Sequence, residues 1–163
     1  MADYYTPTVV QQTIQPADMT PLESLILKHI FDCETVNGEI YFFSTEAPND
    51  VLSLNWAELH EALEQSKDTP SSIYEDVKGQ FEAAVPGAEV IDLDMSGTSW
   101  EFIFQDIVKR SKTLSHISVM ASFTCSKMRS DGFGGMVTLV TPEEIRGKST
   151  TDILEEFLNE AKL

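Results

Sequence analysis

Helix starts are the most plainly written feature of this chain, and they limit what it can become. At an N-cap, an oxygen-bearing side chain followed three residues later by Glu satisfies free backbone amides reciprocally. Thr20-Pro21-Leu22-Glu23 has that form, with Pro at the first helical position, where its missing N–H costs nothing. Ser72-Ile73-Tyr74-Glu75 and Thr98-Ser99-Trp100-Glu101 repeat it, and Asn55-Trp56-Ala57-Glu58 is its Asn form. Thr141-Pro142-Glu143-Glu144 follows a strand-like run and reads as a short turn.

Apolar stripes at helical spacing lie behind these caps. Leu22, Leu25, Ile26 and Ile30 form one; Trp56, Leu59 and Leu63 a second; Ile73, Val77 and Phe81 a third. Trp100, Ile103, Phe104, Ile107 and Val108 form a broad fourth, the mark of a deeply buried helix. Ile153, Leu154, Phe157, Leu158 and Ala161 form a fifth at the C-terminus, with Asp152, Glu155, Glu156 and Glu160 opposite. That stripe is expected to dock on the domain's own core.

Strands fill the intervals. Residues 39–44 follow an Asn37-Gly38 pair, a tight-turn signal, and residues 51–54 make a short run. Residues 89–95 alternate, and 114–125 pairs with 136–141 as a hairpin across a glycine-rich turn. The expected fold is α+β: a mainly antiparallel sheet of about five strands covered by about five helices on one face. At 163 residues the chain is one domain long and should bury roughly 70% of its unfolded surface. Residues 1–19, without helical periodicity but carrying Tyr4, Tyr5, Val9, Val10 and Ile14, are expected as an extended arm on a single domain at 20–163.

The charge balance bears most directly on function. Twenty-seven acidic residues face eleven basic ones, for a net charge of −16. Such a field repels phosphate backbones and argues against direct nucleic-acid binding by the acidic surface. It fits three roles: solubility in a crowded or salty cell, complementarity to a basic partner, or imitation of the phosphates of DNA. Residues 109–148 depart from it, with seven basic residues against three acidic, a local net of +4. Lys109, Arg110 and Lys112, with Lys127, Arg129 and the nearby Phe133, are the candidate contacts for a protein partner, a second copy of the chain included. No apolar run is long enough to span a bilayer and no basic residue precedes Lys28, so neither a membrane anchor nor an export signal is expected. Two cysteines are too few for a disulfide framework, which points to a reducing cytoplasm.

Catalytic constellations are weak. Cys125 and His116 stand nine positions apart on one strand and so point to opposite faces; Cys125 shares its face with Ile117, Val119, Ala121 and Phe123 and is expected buried and inert. The gap from Cys125 to Arg129 is too short for a phosphate-encircling loop, and Gly132, Gly134 and Gly135 lie between strands rather than opening a helix. Asp92 and Asp94 share a strand face and could hold a hard cation; His60 and Glu64 lie one helical turn apart without a second His. No cofactor or metal site is expected. The sequence therefore favours a non-catalytic acidic interaction protein, regulatory or inhibitory, with DNA-mimic inhibitors of the anti-restriction or anti-CRISPR type as one subset. The alternative is a small enzyme, a hydrolase using Cys125 or a metal-dependent enzyme using Asp92 and Asp94.

Overall fold

Asn37 and Gly38 both adopt the left-handed conformation, with φ of 52° and 80°, and close a two-residue hairpin. Its arms, β3 (Asp32–Val36) and β4 (Glu39–Ser44), begin the sheet's sequential pairing in a computed structural model that describes residues 1–163. Before them stand β1 (Tyr4–Tyr5), β2 (Thr8–Val10) and α1 (Pro21–Ile30). After them, β5 (Val51–Asn55) leads into α2 (Trp56–Ser66) and α3 (Tyr74–Ala83), and β6 (Val90–Asp94) leads into α4 (Trp100–Arg110). The chain ends with β7 (Ile117–Cys125), β8 (Gly134–Val140), β9 (Ile145–Ser149) and α5 (Thr150–Glu160).

The main sheet runs β3-β4-β2-β7-β8-β9, with β1 beside β7, and every pairing is antiparallel. A separate two-stranded sheet joins β5 to β6. The fold is α+β, with five helices and a mostly antiparallel sheet. One face of the main sheet sends Val10, Phe42, Val119 and Val140 into the core, where they meet Leu22, Ile26 and Leu27 of α1 and Ile103, Phe104 and Ile107 of α4. Phe31, Phe42 and Phe104 lie with ring centroids 5.9–6.4 Å apart at its centre. No helix is long and apolar enough to cross a membrane.

The N-terminal segment is not an appendage. Its β2 is the strand between β4 and β7, pairing Val9 with Phe43 on one side and with Met120 on the other. Val10 and Ile14 are fully buried, and Ile14 exchanges two backbone hydrogen bonds with Ile40, at 2.8 and 2.9 Å. Without β2 the sheet would split in two. Sequence periodicity misses it because three residues are too few to show alternation.

Two helix starts shift by one residue. The N-caps are Ile73 and Ser99 rather than Ser72 and Thr98, and neither cap side chain bonds the backbone. For α3, a tertiary acceptor substitutes: the Asp106 carboxylate of α4 takes the Ser72 N–H at 2.7 Å.

The C-terminal helix overturns its expectation. No residue of α5 is buried, and its stripe stays open: Leu154 is 55% and Phe157 60% exposed. The reason lies in β9, which sequence reading passes over. It carries the chain to the sheet edge, so α5 starts where no core remains to cover, touching mainly β8 and β9.

Candidate functional site

The basic residues singled out by sequence fall into two groups, because β7 separates them. Nine residues of strand place the end of α4 and the β7–β8 loop about 30 Å apart. Lys109 and Arg110 close α4, where cations oppose the negative end of the helix dipole. Arg110 is bound internally. Its guanidinium donates to the Glu23 carboxylate, to the Asp18 carbonyl at 3.2 Å and to the Pro70 carbonyl at 3.3 Å. Glu23, fully buried, also accepts from the Thr20 N–H at 2.8 Å and the Ser71 hydroxyl at 2.9 Å. Arg110 is thus a latch joining α1, α4 and the α2–α3 connection. Lys112 is exposed just beyond it.

At the other end, Lys127 and Arg129 are exposed on the β7–β8 loop. Arg129 lies 3.4 Å from Asp131, an exposed pair that contributes about 0–1 kcal/mol. Phe133 is 48% exposed where the same loop enters β8. Next to it, Gly134 and Gly135 receive the root of α5: the Gly135 N–H donates to the Thr150 hydroxyl at 3.2 Å. A Cβ on Gly134 would stand 2.7 Å from that hydroxyl, so the close approach requires glycine.

α5 itself is well formed. Ser149 and Asp152 make a complete capping box, with the Asp152 carboxylate accepting the Ser149 N–H at 2.7 Å. Backbone and side-chain hydrogen bonds from Ser149, with Lys148 nearby, hold the Asp152 carboxyl below the ordinary aspartate range. Lys148 reaches forward to Glu156 at 2.7 Å. Ile153, Leu154, Phe157 and Leu158 line one side of the helix and face no core. The stripe expected in the interior is therefore open, and the β7–β8 loop meets the root of its helix through Gly134 and Gly135.

The structure keeps His116 and Cys125 apart, at opposite ends of β7, and leaves Asp92 and Asp94 exposed on one face of β6. His116 lies at the start of β7 with its Nε2 at 3.3 Å from the Gln12 amide and its Nδ1 at 3.0 Å from the Ser115 hydroxyl; Cys125 ends the strand. Cys125 is half-buried rather than buried, because the inner face of β7 outruns its cover: Ile117 and Val119 are at 0% and 2% exposure, while Ala121, Phe123 and Cys125 are only partly enclosed. Asp92 accepts the Ser53 hydroxyl at 2.5 Å. Asp94 accepts the Ser96 N–H at 2.9 Å, and these Ser96 bonds hold its carboxyl below the ordinary range. No three His, Cys, Asp or Glu side chains are grouped to hold a metal ion. His60 stacks against Trp56 and Phe81, at 5.3 and 5.5 Å, while Glu64 pairs with Lys67.

One cleft went unread in the sequence. Ser99, Glu101, Phe102 and Gln105 of α4 face Glu143, Glu144 and Ile145 across a space of about 520 Å³. Burial pushes the Glu101 carboxyl above the ordinary glutamate range, and its Oε2 has no hydrogen-bond partner. Sequence treats Glu101 as a cap residue, and only the β8–β9 turn brings the other two carboxylates near it.

No protein-family model, curated protein sequence or solved structure matches this chain.

Proposed function

We propose that this protein is a non-catalytic, acidic interaction protein, regulatory or inhibitory, that presents α5 to a basic partner protein. One observation carries the reading: a fully capped helix with a continuous apolar stripe buries none of its residues. An isolated helix of eleven residues is marginal in water, so α5 gains most from a surface that covers it. Exposed apolar side chains gathered on one helix face mark a helix-in-groove mode of recognition. Asp152, Glu155, Glu156 and Glu160 flank the stripe, which suits a groove rimmed by cations. Phe133 extends the apolar contact at the helix root, and Lys127 and Arg129 beside it call for an acidic spot at that end of the partner's otherwise cationic rim. The two free thiols, Cys33 and Cys125, fit a reducing cytoplasm as its setting.

The test is capture from a lysate of the source cells at graded salt, with the full chain, Phe157→Asp, and Lys127→Glu with Arg129→Glu as baits. A species held by the wild type, released by salt and lost with Phe157→Asp is expected, with weaker capture by the loop variant. Amides of α5 should exchange fast in the free protein and slowly in the complex. Capture indifferent to Phe157→Asp would overturn the reading.

A further inference from the structure

The face of the main sheet turned away from the core carries a graded pattern. Strand register aligns Asp32, Phe43, Val9, Met120, Val137 and Lys148 in one row across all six strands. The row beside it begins with Glu34 and Tyr41 and ends with Leu139 and Arg146. Both rows therefore run from acid through aromatic to aliphatic and base, about the apolar Val9–Met120 centre in the first and the polar Gln11–Ser118 pair in the second. Tyr41 and Phe43 stack at 5.2 Å, and Val9, Met120 and Val137 are 39%, 39% and 46% exposed. Asp32, Glu34 and Arg146 have no ion-pair partner, and Lys148 has only Glu156.

We infer that this face is a dimerisation surface for a second copy of the chain. A partner of uniform charge fits one edge and is repelled by the other. A surface with the reversed gradient fits both, and the same face turned over has it. Rotation by a two-fold axis parallel to the strands, between β2 and β7, sets each acidic edge over the partner copy's basic edge. It also sets the Tyr41–Phe43 pair over Val137 and Leu139, and the Val9–Met120 centre over itself. The contact is isologous, as closed dimers require, and its strands stay aligned, as in packed sheets. Six strands span about 25 Å and run from about 10 Å for the three-residue β2 to about 30 Å for β7, so the face approaches the roughly 800 Å² that each side of a stable interface contributes. This surface meets α5 only through the Lys148–Glu156 pair and does not rest on the function proposed above.

Sedimentation of the full chain at rising concentration, near 0.15 M salt to screen the repulsion of −16 on each copy, tests it. The wild type should reach twice 18.2 kDa. Arg146→Glu and Glu34→Arg each set like charges in opposition and should weaken the dimer about tenfold or more, a change of about 1.4 kcal/mol. Combined, they exchange the edges and should restore it, with far-UV circular dichroism unchanged throughout. A wild type that stays at 18.2 kDa overturns the inference. So does a dimer indifferent to Arg146→Glu, or a double variant that fails to recover. A dimer lost with Phe157→Asp but not with Arg146→Glu would mean that copies meet through α5 instead.

Discussion

α1 and α5 start alike and end differently. Each opens with a complete capping box, Thr20 with Glu23 and Ser149 with Asp152, and each carries an apolar stripe behind it. α1 buries Leu22, Glu23, Ile26, Leu27 and Ile30; α5 buries nothing. Even the two box carboxylates diverge. Glu23 is reached by Arg110 and Ser71 from other elements, whereas Asp152 stays exposed with its own cap and a neighbouring lysine. A cap fixes where a helix starts, because it settles local amides. Whether the helix is covered depends on where the chain stands at that residue. α1 follows a central strand and enters the core, while α5 follows an edge strand and leaves it.

The largest contrast should come from matched truncations. Ile26 is fully buried, so Ile26→Ala should cost about 2–5 kcal/mol in denaturant unfolding. Leu154→Ala, on the stripe of α5 one position nearer its N-cap, should stay within about 0.5 kcal/mol. Equal losses would mean that α5 docks in solution and would erase the contrast. Next comes the latch. Arg110→Met keeps most of the apolar stem but leaves the Glu23 carboxylate with only neutral donors, which should cost about 1–3 kcal/mol. Arg110 is partly exposed, so the full penalty of an entirely buried pair is not expected.

Much of the fold is legible in the sequence, and the gaps share a cause. The stripes of α1 and α4, the Asn37-Gly38 hairpin and the β7–β8 pair are local patterns of adequate length, and they stand where the sequence puts them. β2 and β9 are short, and β9 holds Arg146, Gly147 and Lys148, which alternate no hydrophobicity. Missing β9 led directly to the wrong expectation for α5, since a helix that follows a turn packs back while one that follows an edge strand need not. At the candidate site, Arg110 looked like the five other contact candidates because its partner, Glu23, lies 87 residues away. Charge can be counted in a sequence; pairing cannot.

A smaller effect should follow from the second cap. Ser149→Ala removes the acceptor for the Asp152 N–H and should reduce helicity over 150–160 by circular dichroism while leaving the unfolding midpoint of the core in place. Acid should act on the same cap from the other side. The Asp152 pKa is lowered in the folded chain, so its contribution is complete above the ordinary aspartate range and is lost as pH falls through the lowered value. α5 should therefore keep its helicity through mildly acidic pH and lose it only in stronger acid, and Asp152→Asn should remove that dependence. In α1, the corresponding Thr20→Ala lies within the core assembly and should shift the global midpoint instead, by about 1 kcal/mol.

The smallest expected effect is the most informative about α5. Phe157 is the largest side chain of its stripe, and in a docked helix Phe157→Ala would remove about 3–5 kcal/mol. Here the ring is 60% exposed and every residue of its helix is exposed, so burial has little to lose. Truncation should leave the melting temperature of the isolated protein within about 1–2 °C of wild type, because 0.5 kcal/mol moves the midpoint of a domain this size by no more than that. The same substitution should abolish whatever contact α5 makes with a partner, since an aromatic anchor is where binding energy concentrates. Thermal melts of wild type and Phe157→Ala, run alone and then with captured partner, separate the two roles. A clear drop in the protein alone would place Phe157 in the fold and return α5 to the same class as α1.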